Sequence, residues 1–260
     1  MVNRLWQYHF GNGIVATASD FGMMGTAPTH PELLDWLAVE FLRNDASIKY
    51  VHRLIVTSAT YRQASEITEQ HRQLDASNLY LARFSRQRLD AESIRDAVLV
   101  ASGNMDYSMG GPGWRDFKMV RPEHSPHYRY DLADPSDVST WRRAIYRFIA
   151  RSQTQPFLTA LDCADPSMRV EKRNSSITAL QSLAMLNNSA VLVQARELAA
   201  RLSSQSGGVG EREIQGAFQS VLGRLPDEGE QAVMLALRDE AGLENVCRVL
   251  FNLNEFVFVD

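Results

Sequence analysis

Apolar residues in this chain recur at the 3.6-residue helical period in two long stretches. Between them lies a segment too rich in glycine and proline for any helix to cross it. That segment, Asn104 to Pro126, holds Gly110-Gly111-Pro112-Gly113, Pro122 and Pro126. The pattern predicts a mostly α fold, an irregular multi-helix domain with a small β or loop element near residues 105–150. At roughly 150 residues per domain, 260 residues allow one large domain or two small ones. The expectation is a single domain over 1–260, divisible into a helical part (1–105), an irregular or β part (106–175) and a second helical part (176–260).

Start and stop signals place the helices. Residues 1–11 read as an amphipathic helix stopped by Gly11, and 12–30 as an ordered, glycine-rich loop. Pro31 opens a helix in which Leu33, Leu34, Leu37, Ala38, Phe41 and Leu42 form one face, while Trp36 and Val39 widen the apolar arc and predict burial on more than one side. Ser47 caps the next helix, which carries Ile48, Val51, Leu54 and Ile55. Helices are further expected at 78–84, 90–102, 178–187, 189–203, 211–222, 227–240 and 243–253. Tyr128-Arg129-Tyr130 and Ala144 to Ile149, rich in aromatic and β-branched residues, are the strand candidates. A chain that opens inside a helix and ends on the apolar run Phe251 to Asp260 reads as the C-terminal part of a longer polypeptide.

Composition removes several function classes. A net charge of -4 disfavours a nucleic-acid binder working through bulk charge. No run reaches the roughly 18 apolar residues of a membrane span, and the first twenty positions do not form a signal peptide. Two cysteines 84 positions apart, Cys163 and Cys247, fit no disulfide framework or haem-attachment spacing. The charge is nonetheless uneven. From Trp141 to Asn174 seven basic residues meet three acidic ones, a balance of +4, whereas from Gly207 onward ten acids meet four arginines, a balance of -6. Arginine dominates the basic set, and its guanidinium fork suits carboxylate, sulfate or phosphate.

Catalytic motifs are absent. There is no Gly-x-Ser-x-Gly, no Ser-x-x-Lys and no phosphate-cradling loop, and Asp20-Phe21-Gly22 matches the kinase triplet in letters only. His124, His127 and Asp131 have the residue types of a metal site, but their spacing is not that of a helix or strand pair and Pro126 interrupts it. No metal and no cofactor are expected. Arg173-Asn174 preceding Thr178 and Gln181 places polar groups at a helix entry, where free amides beside arginine favour an anion.

Several longer patterns then accumulate: Asn3-Arg4-x-Trp6, Phe10-Gly11-x-Gly13-x-Val15, Asp20-Phe21-Gly22-x-x-Gly25 and His30-Pro31-Glu32-Leu33-Leu34-Asp35-Trp36. Further along stand His52-Arg53-Leu54-Ile55, Ile94-Arg95-Asp96, Met109-Gly110-Gly111-Pro112, Arg142-Arg143-Ala144-Ile145-Tyr146 and Asn252-x-Asn254-Glu255-Phe256. Together they closely resemble the C-terminal planctomycete-type domain of unknown function, over almost the whole chain. The resemblance implies a cell-envelope setting, periplasmic or at the cell surface, an upstream domain of the same polypeptide, and frequently a planctomycete c-type cytochrome module. It transfers no catalytic residues. This chain contains no Cys-x-x-Cys-His and so holds no covalent haem itself.

The leading expectation from these observations is an accessory or binding domain that recognises anionic polysaccharide beside an electron-transfer module. Arg142, Arg143, Arg147, Arg173, Asn174 and Gln181 would face the anion. The alternatives are an enzyme, a hydrolase or oxidoreductase, drawing on Asn3, Arg4, His9, Asp20, His30 and His52, and a structural cap on the upstream domain. Neither nucleic acid nor a membrane span is expected.

Overall fold

The computed structural model describes residues 1–121 and 123–259, so Pro122 and Asp260 lie outside the described residues. Two compact units divide the chain, Met1–Gln87 together with the last residues from Phe258, and Arg88–Val257. As the periodicity requires, the fold is mostly α, with twelve helices among the described residues and only small two-stranded sheets.

The first unit is built on α1 (Val2–Phe10), α2 (Pro31–Arg43) and α3 (Ile48–Val56), with a short α4 (Glu69–Leu74). Gly11 ends α1 at φ 78°, the left-handed region that glycine enters without strain. Ser47 caps α3 by accepting the Tyr50 N–H. Leu5, Trp6, Phe10, Leu37, Val51 and Ile55 make the core, continued by the rings of Tyr61 and Phe84. Asn3 is buried against the following loop. Its amide donates to the Val15 carbonyl at 3.0 Å and accepts from the Val15 N–H at 2.9 Å. At Gly13 a Cβ would stand 2.6 Å from the Val15 carbonyl oxygen, so only glycine lets the chain pass there. The spacing Asn3, Gly13, Val15 is thereby a packing motif.

Two expectations fail in this unit. Trp36 and Val39 are 47% and 43% exposed, so α2 buries one side only, the side that meets α1 and α3. No helix forms at 78–84. There the Asp75 carboxylate takes the N–H groups of Leu79 and Tyr80, each at 2.8 Å, while Asn78 and Leu81 turn to φ 52° and 55°. Side-chain acceptors capture backbone donors that a helix would need. The helix in this region is α4, which ends four residues before the expected one begins and is capped by Thr68.

In the second unit α5 (Ala91–Ser102), capped by Asp90, packs on α8 (Ser189–Ser206) and α9 (Gly210–Val221). A short α6 (Pro156–Ala160) and α7 (Ala179–Asn187) precede them. They are followed by α10 (Glu228–Ala241), α11 (Leu243–Leu250) and the single turn α12 (Asn254–Val257). Ile94, Val98, Leu198, Ile214, Phe218, Val246 and Leu250 fill the centre. Two buried polar side chains here, Gln194 and Glu213, are paired. Gln194 accepts from Ser102 Oγ at 2.7 Å and Asn104 Nδ2 at 2.8 Å, and Glu213 accepts from Ser203 Oγ at 2.7 Å and Arg238 Nε at 2.6 Å. The acidic C-terminal stretch is therefore partly neutralised from within, with Arg224 also bridging Glu230 and Glu255.

Between α5 and α6 the chain is irregular, carrying one antiparallel hairpin, Lys118–Val120 against His127–Arg129. The strand expected at 144–149 is instead a 3-10 turn over Ala144–Tyr146, with a single bridge from Trp114 to Arg147. Asp96 explains it, because its carboxylate accepts the Ala144 N–H at 2.9 Å and fixes a turn where a strand would need a partner strand.

Candidate functional site

The irregular segment is held on α5 by two adjacent residues. Arg95 projects beside the apolar stripe of Ile94 and Val98 and donates Nη1 to the Arg142 carbonyl and to Asp96, both at 2.9 Å. Its Nη2 reaches the Thr140 carbonyl, and the guanidinium lies 4.2 Å from the centre of the Trp114 ring. Burial lowers the Arg95 pKa, while Asp96 and, less strongly, Asp116 oppose the shift. A planar cation stacked on an aromatic ring and bonded to carbonyls is a rigid floor.

Above that floor lies a cavity of about 140 Å³, entirely within the second unit. Its polar wall includes Arg95, Asp116, Trp141, Gln155, Asn188 and Gln194, and its apolar wall includes Val98, Leu99, Leu158 and Val191. Helix caps place the amides. Gln155 Oε1 accepts the Leu158 N–H at 2.6 Å at the start of α6, and Asn188 Oδ1 accepts from Ala190 and Val191 at the start of α8. With Gln194 Oε1 also occupied, what these three amides offer a ligand is N–H.

Two residues that line this cavity each carry a buried atom with no hydrogen-bond partner, Asp116 Oδ1 and Trp141 Nε1. The other Asp116 oxygen accepts from Arg147 Nε at 2.9 Å. An acceptor and a donor, each desolvated and each unmatched, thus belong to side chains that line one small cavity. Such groups cost free energy in the folded state, about 1–3 kcal/mol each, unless something fills them.

Of the six residues read from sequence as an anion site, four are engaged with protein groups. Arg142 donates to the carbonyls of Pro112, Gly110 and Ser108 at 2.8, 2.6 and 3.3 Å and stacks on Tyr146, which shapes the glycine-rich loop. Arg143 is exposed, with Nη1 4.0 Å from the Met109 sulfur. Arg147 pairs with Asp116. Arg173 pairs with Glu92 at 2.5 Å and with Asp90 at 3.5 Å. Burial pushes the Glu92 carboxyl up, but Arg173 outweighs it and leaves the pKa below its ordinary value. Asn174 is exposed. Gln181 is buried, completes the capping box with Thr178, and donates to Asp162 at 2.9 Å. Arg142, Arg143 and Arg147 border the irregular segment, whereas Arg173 and Gln181 belong to clusters around Glu92 and Asp162. The structure does not bring the six together.

In the first unit, Arg4 and Asp20 are exposed, and Asp20 accepts the Gly22 N–H at 2.8 Å. His30 pairs with the Thr29 hydroxyl at 2.9 Å, and Asn3 serves the Val15 backbone. Only His9 and His52 meet, nitrogen to nitrogen at 3.1 Å. Among the described residues no group of three or more His, Cys, Asp or Glu could hold a metal ion, and no helix is long and apolar enough to cross a membrane. Cys163, beside Glu92, has its thiol pushed up to about 11 by burial, so it is a poor nucleophile.

Sequence reasoning did not single out Arg95, Asp116, Trp141, Gln155, Asn188 or Gln194 as a site. One available signal was the placement of two of the four tryptophans, Trp114 and Trp141, in the non-helical stretch between α5 and α6, where aromatic rings have no long helical face to fill.

A model of the PSD1 family, described as protein of unknown function (DUF1553), matches residues 1–238. No curated protein and no solved structure matches the chain.

Proposed function

The chain belongs to the PSD1 family of proteins of unknown function, and on that premise we propose that it is an accessory binding module whose second-unit cavity holds one hydroxyl-bearing ring of a neutral polysaccharide. The observation that carries this reading is the unmatched pair, Asp116 Oδ1 and Trp141 Nε1, on two side chains that line one cavity. A hydroxyl donates and accepts at once, so a ring with neighbouring hydroxyls satisfies both atoms.

Charge argues for a neutral sugar over the anionic one expected from composition. Arg147 and Arg173 are committed to carboxylates, and the unmatched Asp116 oxygen would repel a uronate or sulfate. The envelope setting and the neighbouring c-type cytochrome module that the resemblance implies fit a module that retains substrate for a partner. An enzymatic reading has less support, since its polar set is scattered over the first unit.

Titrating the chain with neutral and acidic oligosaccharides, followed by calorimetry and tryptophan fluorescence, tests the proposal. Saturable binding of a neutral sugar at millimolar to micromolar concentration, about 4–8 kcal/mol, is the expected result. Trp141→Phe keeps one aromatic ring, removes the Nε1 donor and should weaken binding about tenfold. Retention of acidic glycans only, or binding that Trp141→Phe leaves unchanged, overturns it.

A further inference from the structure

The first unit contains a histidine pair that the proposed sugar site does not use. His9 Nδ1 lies 2.8 Å from the Leu5 carbonyl oxygen, one turn earlier on α1. A carbonyl only accepts, so Nδ1 carries the proton and, in a neutral ring, Nε2 presents its lone pair. That nitrogen lies 3.1 Å from His52 Nδ1 on α3, with the ring centres 4.8 Å apart. His52 must then be the donor. A directional bond between neutral imidazoles joins the two helices.

We propose that the His9–His52 pair is an acid-released latch, holding α1 on α3 at neutral pH and letting the helix loosen as the pH falls below the ordinary histidine range. One added proton can be absorbed. It settles on His9 Nε2, the bond reverses, and His52 accepts after moving its own proton to Nε2. A second proton leaves two cations facing each other at 3.1 Å with no acceptor between them.

The surroundings supply no relief. Tyr61 stands edge-on to His9 with ring centres 5.8 Å apart, and Gln87, a neutral amide, donates to the His9 carbonyl. On α2, which packs against both helices, Glu40 is taken by Tyr50, Asn44 and Arg43, while Glu32 and Asp35 are exposed. Arg4 on α1 and Lys49 and Arg53 on α3 are exposed cations that add to the repulsion. Burial, and then the charge of His9, lower the His52 pKa. The folded state therefore binds its proton less well than the unfolded chain, whose histidines titrate near 6.5. Stability present above that value is lost as the pH falls through it.

Hydrogen exchange along α1, measured on the full chain at pH 7.5 and 5.0 and corrected for intrinsic rates, tests the latch. Protection of α1 should fall about tenfold for each unit by which the His52 pKa is depressed. In His52→Asn the amide Nδ2 can still donate to His9 but cannot titrate, so the acid loss should vanish. The same loss in His52→Asn, or no loss in the wild type, overturns the proposal. If the variant does not fold, NMR titration of the wild-type imidazoles decides. Two coupled steps, one below 6.5, uphold the latch, and two independent titrations near 6.5 overturn it.

Discussion

Asn3 in the first unit and Asp116 in the second are both polar groups beside an irregular loop, and they are handled in opposite ways. Asn3 uses both ends of its amide on the Val15 backbone, so nothing remains to offer a ligand. Asp116 spends one oxygen on Arg147 and leaves the other buried and unmatched, and Trp141, which lines the same cavity, has an equally unmatched Nε1. A fully satisfied buried group stabilises one backbone course. A half-satisfied one stores binding capacity, because its missing hydrogen bond is regained only when something enters.

The largest test of this contrast is Asn3→Ala. It strands a buried N–H and a buried carbonyl at Val15, so urea denaturation should show a loss of about 3 kcal/mol, with sugar binding unchanged under folding conditions. Arg173→Ala comes next. Removing the partner of Glu92 should cost about 1 kcal/mol at pH 7, since both side chains are partly exposed. The pH dependence sharpens it. The Glu92 pKa is depressed in the folded state, so its contribution is present above the ordinary glutamate value of 4.5 and is lost as the pH falls through the folded value. Wild type should therefore lose more stability than Arg173→Ala between pH 6 and pH 3, measured by the urea midpoint. Trp141→Phe should be the smallest, below about 1 kcal/mol in stability, because Nε1 bonds nothing in the fold and only part of a half-buried ring system is lost. A large loss of stability there would mean that Nε1 belongs to the scaffold, and the contrast would collapse.

Elements whose ends are written locally were legible. Ser47, Asp90 and Thr178 each accept a backbone N–H from the first helical turn, and Gly11 and Gly103 close α1 and α5 in the left-handed region. These are contacts over three or four residues, which the order of residue types nearly dictates. The segment 78–84 misled because its helical composition was outvoted by the Asp75 and Asn78 side chains. Ala144 to Ile149 misled because a carboxylate 48 positions earlier claims its first N–H.

The candidate site was less legible than the fold. Sequence shows that arginines concentrate between 141 and 174, but the partner of Arg173 lies 81 positions away and that of Arg147 lies 31 away. A charge is a property of one residue, whereas a free charge is a property of a neighbourhood.

The sequence by itself determined that this chain is mostly helical, where most helices begin and end, and that 104–126 breaks the pattern. Helical periodicity and caps act over a few residues, so the order of residues decides them. Only the tertiary structure decided which polar groups are spent and which are left over, that two imidazoles meet across α1 and α3, and that an acceptor and a donor stand unmatched around one cavity. Those outcomes depend on contacts between residues tens of positions apart. Such contacts exist only once the apolar faces have packed.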